Sequence, residues 1–559
     1  MQEQTVRSRS VGRRRALQLG GIGLAGAGSL WLLACGGGGA KKEAASSTVG
    51  AGAAQAGRAG AAVAGVATQT AEKKFKPGGR FVSSFTQGMT VLDPHQERIS
   101  YHLQAFNKLL KTPADGKLTN DLAASYEQPD PQTYIFKLPA EIPFHNIDPV
   151  NGRNMTAEDV AYSFKRMLTP KPEYQKKYYF DRMKSIEAVD KQTVKLTTDG
   201  PYSPQLGYVG ATHAVIVPQE AVEKFGDLRN NVIGTGPFMM TDYKHQVSYS
   251  FKKHPKYFKK DLPYLDEVEL LRIADQATAI SRFRSKQLDV VATSGRDAKQ
   301  LRGAGFQEFE SDGNGYTIRP NVTKAPFNDP RVRRALHLLI DRKQIIDLVL
   351  AGAGYNFADL PRYFTAAIKP DELAKMPGYR QPKTEDIAEA KKLLEAAGVG
   401  KGFSFETISY VIDMPDVVQV LRSQLQPHGI QVTNRAMEFS EWTTLVLEKK
   451  FDAMITSGSQ RDEADEYYYA VYHTKGARND TGISDPKIDA MLLAQQQEVV
   501  PEKRDKLLRD ISLSLLEAPV WIPLYVGITF DFEQSDVRNL QRGSINYWHF
   551  LLEQTAREQ

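Results

Sequence analysis

The sequence predicts a mixed α/β protein, because strand patterns of period two alternate along the chain with capped helical patterns. Residues 133–138 place Tyr134, Phe136 and Leu138 on one face, as in a strand with one buried side. Asp329-Pro330 begins the clearest helix, since aspartate suits the N-cap and proline the first helical position. With 559 residues, 41% of them hydrophobic, the chain is long enough for two or three domains.

Further helices and strands are predicted from the same kinds of local signal. Thr156-Ala157-Glu158-Asp159 has the composition of a helix start, and Pro170 ends that helix. The helix that begins at Asp329, or its continuation, is predicted to run to Leu350, before Gly352. The remaining predicted elements are a strand over 193–198, a helix over 384–398 and an alternating strand over 403–408.

Residues 1–35 have the order of a secretory leader, with positive residues before an apolar, glycine-rich run. Leu32-Leu33-Ala34-Cys35 resembles a bacterial lipobox, so Cys35, the only cysteine, is predicted to be lipidated and to start the mature protein. Gly12-Arg13-Arg14-Arg15-Ala16-Leu17 also resembles a twin-arginine motif, which leaves open whether export uses the twin-arginine or the general route. The alternative is an uncleaved amino-terminal anchor.

Residues 36–76 are rich in Gly, Ala, Ser and Lys and have almost no large apolar side chain before Phe75. Such a segment cannot bury enough apolar surface to fold. As a flexible coil of about 40 residues it would span about 35 Å on average. The sequence therefore predicts a tether between a lipid anchor and a globular body.

The positive charge of the chain lies in this amino-terminal part. Residues 1–76 carry a net charge of +8, whereas the whole chain carries +6. The rest of the chain therefore carries −2. A nearly neutral body gives no basis for nucleic-acid binding. No other segment reaches 18 apolar residues, so no further membrane span is predicted.

Several short motifs follow one another through the body, and together they resemble one family. They are Pro77-Gly78-Gly79, Val91-Leu92-Asp93-Pro94, Leu122-Ala123-Ala124-Ser125 before Tyr134-Ile135-Phe136-Lys137-Leu138, Thr156-Ala157-Glu158-Asp159-Val160, Ile233-Gly234-Thr235-Gly236-Pro237-Phe238, Gln287-Leu288-Asp289-Val290, Pro326-Phe327-Asn328-Asp329-Pro330-Arg331-Val332-Arg333-Arg334-Ala335-Leu336 and Ala518-Pro519-Val520-Trp521-Ile522-Pro523-Leu524-Tyr525. In this order they resemble the family 5 extracellular solute-binding proteins of ABC transporters, the oligopeptide- and dipeptide-binding proteins and their relatives.

The resemblance implies the two-lobe periplasmic-binding-protein type II fold, with two hinge strands between the lobes. Lobe one would cover 77–318, with a smaller inserted domain at about 115–230, and would be completed by 516–559; lobe two would cover 319–515. A solute would be enclosed as the lobes close. The resemblance implies that this solute is a peptide, the usual ligand of the family. The implied partner is an ABC transporter permease, and we expect a monomer outside the cytoplasmic membrane, in the periplasm or at the cell surface.

In peptide-binding relatives an aspartate of lobe two pairs with the ligand's amino terminus. The matching stretch is Asp462-Glu463-Ala464-Asp465-Glu466-Tyr467-Tyr468-Tyr469, in which Asp462 is the first candidate and Asp465 the second. A carboxylate in a closing cleft suits an ammonium group, because desolvation strengthens a paired charge. The stretch departs from the family pattern, since Glu466 replaces the proline and Ser459 the tryptophan. The alternative is a solvated acidic loop.

Three further residues are candidates for ligand contact. Arg461 either binds a ligand carboxylate through its planar fork or neutralises the surrounding acids. Tyr468 and Trp442 either line an apolar cleft with their polar tips or belong to the core of lobe two. Because the tyrosine run would face both sides of any regular element, at least two of Tyr467, Tyr468, Tyr469 and Tyr472 are predicted to be core.

Two other functions are weighed against a binding protein. A surface-anchored hydrolase finds no support, since the sequence has neither a Gly-x-Ser-x-Gly elbow nor a His-Glu-x-x-His helix. The ten histidines are scattered, so we predict no catalytic residue, no metal site and no cofactor. A non-transporting sensor of the same fold, or a carrier of a non-peptide solute, stays open because fold does not fix function.

Overall fold

The computed structural model describes residues 75–86, 91–96, 104–111, 117–171, 173–174, 176–410, 414–458, 461, 463–542 and 550–558. The predicted leader, Cys35 and nearly all of the predicted tether lie outside the described residues, as does Asp462.

The described residues alternate between strands and helices, as the sequence predicts. The strands are β1 Arg80–Phe85, β2 Leu110–Lys111, β3 Thr119–Asn120, β4 Ser125–Asp130, β5 Thr133–Lys137, β6 Met183–Asp190, β7 Thr193–Thr198, β8 Phe238–Lys244, β9 Ser248–Lys253, β10 Glu267–Arg272, β11 Val290–Ser294, β12 Gln307–Pro320, β13 Gly354–Tyr355, β14 Phe403–Ser409, β15 Ile430–Ala436, β16 Ala453–Gly458, β17 Ile522–Glu533, β18 Val537–Arg538, β19 Gln541–Arg542, β20 Phe550–Leu551 and β21 Ala556–Arg557. The helices are α1 Ala157–Met167, α2 Gln205–Val209, α3 Gln219–Phe225, α4 Gln276–Arg284, α5 Gly295–Ala298, α6 Pro330–Leu339, α7 Arg342–Val349, α8 Pro370–Leu373, α9 Thr384–Ala396, α10 Met414–Leu425, α11 Phe439–Leu447, α12 Asp465–Tyr472, α13 Pro486–Gln497 and α14 Pro501–Glu517.

Three larger sheets organise these elements. One has the strand order β1-β10-β9-β8, and a second, β4-β5-β7-β6, lies within the predicted inserted domain. The third has the order β11-β17-β12-β16-β14-β15, with β13 also paired to β17. We use "lobe one" for β1–β11 with β18–β21 and their helices, and "lobe two" for β13–β16 with α6–α14.

Two long strands, β12 and β17, run through both lobes. The first half of β12 pairs with the end of β17 that also pairs with β11, whereas its second half pairs with β16. Their mutual register shifts between Asp312 and Gly315. A Cβ on Gly313 would lie 2.9 Å from the carbonyl oxygen of Gly527, so a residue with a side chain would crowd β17 at this irregularity. The lobe boundaries at 318/319 and 515/516 stay predictions.

Local sequence signals explain where the helices begin and end. Thr156 and Asp159 form the capping box of α1, which confirms the predicted start of that helix. Asp329 caps α6 by accepting from the N–H of Arg331, with Pro330 at the first helical position. The predicted continuation to Leu350 is a separate helix, α7, because Ile340 is extended and Asp341 caps a new start.

Each lobe has its own apolar core. In lobe one, the β1 and β5 strands and α1 share one cluster that includes Phe81, Phe136 and Phe164. In lobe two, α6, α10 and the β14–β16 strands pack around Leu336, while α12–α14 form a separate cluster around Tyr468. Among the described residues, no helix combines the length and apolar character needed to cross a bilayer.

Candidate functional site

The acidic segment 463–466 lies where lobe two touches lobe one, and its carboxylates are paired. Arg504 forms an ion pair with Glu463. Asp465 accepts hydrogen bonds from the side-chain amides of Gln495 and Gln496, the latter at 3.0 and 3.1 Å. The segment is therefore not the solvated acidic loop of the sequence alternative; Glu463, Asp465 and Glu466 are all buried.

Contacts across the lobe boundary involve the same segment. The Tyr208 hydroxyl of lobe one donates to Asp465 Oδ2 at 3.0 Å, and Lys176 Nζ lies 2.9 Å from Glu466 Oε1. The Tyr178 hydroxyl donates to the same Glu466 oxygen. Tight packing accompanies these bonds, since a Cβ on Gly207 would lie 2.2 Å from Glu463 Oε2. The acidic segment thus connects the two lobes.

Two adjacent carboxylates in this contact have opposite pKa shifts. Burial raises the pKa of Asp465 to about 6, against the opposing charge of Arg504. Burial would also raise the pKa of Glu466, but the positive charges of Lys176 and Arg461 lower it to about 2. Glu466 is therefore held ionised by lobe one, whereas Asp465 is only weakly acidic. Within the described part of the chain, both oxygens of Asp465 accept hydrogen bonds, from Tyr208, Gln495 and Gln496, so a ligand ammonium would have to compete with these donors.

Arg461 acts on the neighbouring Glu466 through its charge and not through a direct ion pair among the described residues. Within the described residues its guanidinium forms no ion pair, while Glu463 pairs with Arg504 and Glu466 with Lys176. Its backbone N–H donates to the hydroxyls of Tyr363 and Tyr467, which fixes the chain at this point. Burial would lower the pKa of Arg461, but the charge of Glu466 is the largest of the effects that raise it, so the neutralising role has support. A role of Arg461 in ligand contact stays a prediction.

A second arginine, Arg319 at the end of β12, is 2% exposed. Its guanidinium carbon lies 3.4 Å from the ring centroid of Trp521, and its Nε donates to Thr317 Oγ1 at 3.0 Å. The nearest acid is Asp480, whose Oδ2 is 3.5 Å from Nη1. Among the residues that the structure describes, buried Nη2 has no hydrogen-bond partner. Burial lowers the pKa of Arg319 to about 10, and the charge of Arg461 contributes.

A narrow cavity opens beside Arg319 in lobe two. Its walls include Thr317 of β12, Gly458 of β16, Tyr472 of α12, and Trp521. Arg319 Nη2 is 3.7 Å from the point where a Cβ on Gly458 would lie, so this nitrogen lies close to one residue of the cavity wall. The walls are mainly apolar and aromatic, the usual lining of a small-molecule site.

Asp359 supplies an acid to the same cavity. Its Oδ1 accepts from Ser512 Oγ at 2.7 Å, while its Oδ2 is buried without a hydrogen-bond partner. Burial raises the pKa of Asp359 to about 6. Burial raises the pKa of the Tyr472 phenol, the charge of Asp359 adds to this shift and the charge of Arg319 opposes it.

The structure places Tyr468 away from any open surface. It is fully buried in the α12–α14 core, with its hydroxyl bonded to Ser512 Oγ at 2.6 Å and to the carbonyl of Leu508. We therefore remove Tyr468 from the candidate site. Tyr472 is also buried in this core, as expected for at least two residues of the tyrosine run.

Trp442 lies in a separate aromatic group on α11. Its ring is 4.7 Å from that of Tyr410 and stacks at 5.9 Å on Phe439, and its indole N–H is buried without a partner. The role of Trp442 in ligand contact stays a prediction, as does that of Asp462.

Sequence reasoning missed Arg319 and Asp359. A usable signal was present for Arg319, since a charged residue interrupts the apolar stretch that ends β12. Asp359 follows an irregular segment and carries no comparable signal. Among the residues the structure describes, no group of three or more His, Cys, Asp or Glu side chains could hold a metal ion.

Two lobes joined by long strands, with an aromatic cavity near their boundary, define a two-lobe solute-binding protein. The sequence family described as "Bacterial extracellular solute-binding proteins, family 5 Middle" matches residues 117–479, more than half of the chain. The chain belongs to this family. It is a binding protein of the ABC-transporter type rather than an enzyme, and the predicted two-lobe type II fold is confirmed.

Individual relatives show the range of the family. The chain is 25% identical to heme-binding protein A of Haemophilus influenzae, over 76% of this chain and 82% of that protein. It is also 25% identical to the dipeptide-binding protein DppE of Bacillus subtilis, over 75% and 80%. Among solved structures, the periplasmic binding protein DppA from Helicobacter pylori in complex with the peptide STSA is similar with a TM-score of 0.73 at 20% identity, covering 87% of this chain and 99% of that one.

Proposed function

We propose that this protein is a lipid-anchored receptor outside the cytoplasmic membrane that captures a peptide between its lobes and delivers it to an ABC transporter permease. The observation that carries the capture step is the interlobe contact of Glu466 with Lys176 and Tyr178, because it lies beside Arg461 and the cavity of lobe two. Closure of β12 and β17 at their irregularity would make and break this contact. The lobe and insert boundaries predicted from the sequence belong to this proposal.

The peptide assignment rests on family membership and on the charged side chains of lobe two. DppE is named for dipeptides, and a peptide offers both an ammonium and a carboxylate to the acids and arginines of lobe two. A non-peptide solute is the second candidate, favoured by the similarity to heme-binding protein A. Both candidates share the capture step and differ only in what occupies the cavity.

Native mass spectrometry of the full chain tests the peptide assignment. The protein is purified without added ligand and measured before and after denaturation. We expect the release of a peptide of a few residues. A released compound that is not a peptide would leave the carrier role intact and overturn the substrate.

The lipid anchor is tested at Cys35. In a bacterial host the wild type is expected in the membrane fraction, since stable anchoring follows when acyl chains are attached to the cysteine. Cys35→Ala should appear in the soluble fraction outside the cytoplasm. Retention of this variant in the membrane would contradict lipidation and favour the uncleaved anchor.

The proposed ammonium partner is Asp462, by its place in the family pattern. Asp462→Asn should weaken binding of a peptide with a free amino terminus about tenfold or more, because a charge-assisted hydrogen bond is lost. The N-acetylated form of the same peptide should bind the wild type and the variant equally. Equal affinity of both proteins for the free peptide would refute the role of Asp462.

A further inference from the structure

The buried acids at the lobe boundary differ in their partners. Arg504 forms an ion pair with Glu463, and Lys176 forms one with Glu466. Asp465 lies between these two acids in the chain and is only 2% exposed, but it has no ion pair within the described part of the molecule. Burial of an acid without a counter-ion of its own disfavours the charged form.

The hydrogen-bond partners of Asp465 suit a neutral acid as well as a carboxylate. They are the Tyr208 hydroxyl and the side-chain amides of Gln495 and Gln496, all of which can accept as well as donate. The Nε2 of Gln496 lies 3.1 and 3.0 Å from the two oxygens of Asp465, while its Oε1 is buried without a donor among the described residues. A half-turn of this amide brings Oε1 to the carboxyl group, where a protonated Asp465 can donate to it.

The charges around Asp465 favour its protonation. Burial is the largest effect and raises its pKa, the charge of Arg504 opposes this, and the charge of Glu463 adds to it, so the pKa is about 6 instead of 3.8. The other titratable groups that interact with its charge are Tyr178, Tyr202, Tyr208 and Tyr469. Burial raises the pKa of all four phenols, so these groups stay neutral at neutral and mildly acidic pH.

Lobe one supplies part of the cover over Asp465. The Tyr208 hydroxyl bonds to the acid itself, and the N–H of Ser203 donates to the carbonyl of Gln496 at 2.8 Å. When the lobes separate, these contacts break and water reaches the carboxyl group. Because water stabilises the charged form, Asp465 holds a proton more tightly in the closed protein, with the lobes in contact, than in the open one.

We propose that lobe closure takes up one proton from solvent at Asp465, so that mildly acidic conditions favour the closed protein and the capture of its solute. The proton is added to a carboxylate oxygen, and Tyr208 and the two amides then hold the neutral acid. The ion pair of Glu466 with Lys176 stays charged throughout, because the pKa of Glu466 is about 2. This inference rests on the proposed capture of a solute by closing lobes.

Proton uptake makes the ratio of closed to open protein depend on pH. The pKa of Asp465 is about 6 in the closed protein, and its ordinary value of 3.8 applies once the group is exposed to water. The ratio therefore changes little above pH 7 and rises as the pH falls through 6. At pH 5 it should be about tenfold higher than at pH 7.5.

Distances between the lobes test this without a ligand. Spin labels are attached at two exposed positions, Lys191→Cys of lobe one and Lys503→Cys of lobe two, in the full chain with Cys35→Ala, which removes the only other thiol. Double electron–electron resonance gives the closed and open populations at pH 7.5 and pH 5. Gly207→Ala supplies the open reference, since its side chain would collide with lobe two. The expected result is the tenfold rise, and equal ratios at both pH values would overturn the proposal.

Variants assign the effect to Asp465. Asp465→Asn resembles the neutral acid and should have the same ratio of closed to open protein at both pH values. Asp181→Asn is the matched control, because desolvation also raises the pKa of Asp181 to about 6 but this acid makes none of the bonds described above. It should keep the tenfold response. A response that persists in Asp465→Asn, or that disappears in Asp181→Asn, would overturn the proposal.

Tyr208→Phe tests the proposal even if thermal unfolding shows that Asp465→Asn does not fold. The variant keeps the ring and removes the hydroxyl that donates to Asp465. A charged acceptor gains more from this bond than a neutral acid does, so the closed population should fall more at pH 7.5 than at pH 5. An equal fall at both pH values would show a merely structural contact and contradict proton uptake.

Failure of this inference is distinguishable from failure of the proposed function. If the wild-type lobes and those of Gly207→Ala give the same single distance at every pH, the lobes do not close, and the capture step fails together with this inference. If both distances are present in a proportion that does not change with pH, the lobes close and only the proton uptake is refuted.

Discussion

Two arginines of lobe two, Arg342 and Arg319, are almost equally buried but have different hydrogen-bond environments. Arg342 donates to the carbonyl oxygens of Pro523 at 2.7 Å and Gly378 at 2.6 Å, to two further carbonyls, and to a ring nitrogen of His337. Arg319 donates one hydrogen bond, has one ion pair at 3.5 Å and leaves Nη2 without a partner.

The difference separates a buried arginine with many hydrogen bonds from one whose hydrogen bonding is incomplete. Both guanidiniums cover an aromatic ring, at 4.4 Å from Tyr379 for Arg342 and 3.4 Å from Trp521 for Arg319, so stacking does not distinguish them. What distinguishes the two arginines is the number of N–H groups that lack an acceptor. A buried charge whose bonds are complete stabilises a single native packing, whereas one with missing bonds costs stability unless a partner arrives.

The largest expected effect is the loss of stability on replacing Arg342. Arg342→Met leaves several buried carbonyls without donors, and each such group costs about 1–3 kcal/mol. We expect the free energy of unfolding to fall by about 4 kcal/mol in denaturant titration, with unchanged peptide affinity for the protein that remains folded. A loss below 1 kcal/mol would break the comparison, because Arg342 would then be no more structural than Arg319.

Glu466 is a buried carboxylate with a complete partner, like Arg342 among the arginines, because its charge is compensated by Lys176. Its folded pKa of about 2 lies below the unfolded value near 4.5, so the stabilisation is complete above pH 4.5 and is lost as the pH falls towards 2. The loss amounts to about 3 kcal/mol. Glu466→Gln should lack this component when unfolding is followed between pH 6 and pH 2. Parallel curves for the wild type and the variant would contradict the ion pair.

A substitution at Gly207 tests the interlobe contact, because a side chain there would collide with Glu463. Gly207→Ala should hold the lobes apart and weaken peptide binding about tenfold, or about 1.4 kcal/mol. Small-angle scattering should show a smaller peptide-induced decrease in the radius of gyration. Gly200→Ala is the matched control, since a Cβ there would meet only Arg182 Nη2 at 3.8 Å. Identical behaviour of the two variants would refute the contact.

A smaller effect is expected at Trp521, which covers the face of Arg319. Trp521→Phe keeps an aromatic ring but weakens the cation–π contact, which costs about 0.5–1 kcal/mol. The free energy of unfolding should fall by this amount and no more, because the indole N–H has no partner to lose among the described residues. An unchanged free energy of unfolding would mean that the stacking does not stabilise the guanidinium.

Much of the fold was predictable from local sequence. The strand over 193–198 and the capped start at Asp329 are confirmed, since each depends on neighbouring residues alone. The break between α6 and α7 was missed, although Asp341 is a strong N-cap, because an apolar stripe continues through both helices. The pairing of β12 with both β16 and β17 depends on residues distant in the chain and has no local signal.

The candidate site was less predictable for the same reason. Asp462 and Asp465 were proposed through a motif, but the partner of Asp465 on lobe one, Tyr208, lies in the predicted inserted domain. Arg319 obtains its surroundings from Asp480 and Trp521, which lie far along the chain. Whether a buried charge is satisfied is a property of the assembled fold, and composition or spacing does not reveal it.

The most direct test is the stability of Arg319→Met beside Arg342→Met and the wild type, each in denaturant titration. We expect the unfolding free energies of Arg319→Met and the wild type to agree within about 1 kcal/mol, because Arg319 contributes few bonds to the folded protein. Arg342→Met should lose about 4 kcal/mol. If Arg319→Met is also about 3 kcal/mol less stable than the wild type, Arg319 is a structural residue like Arg342 and the comparison is contradicted.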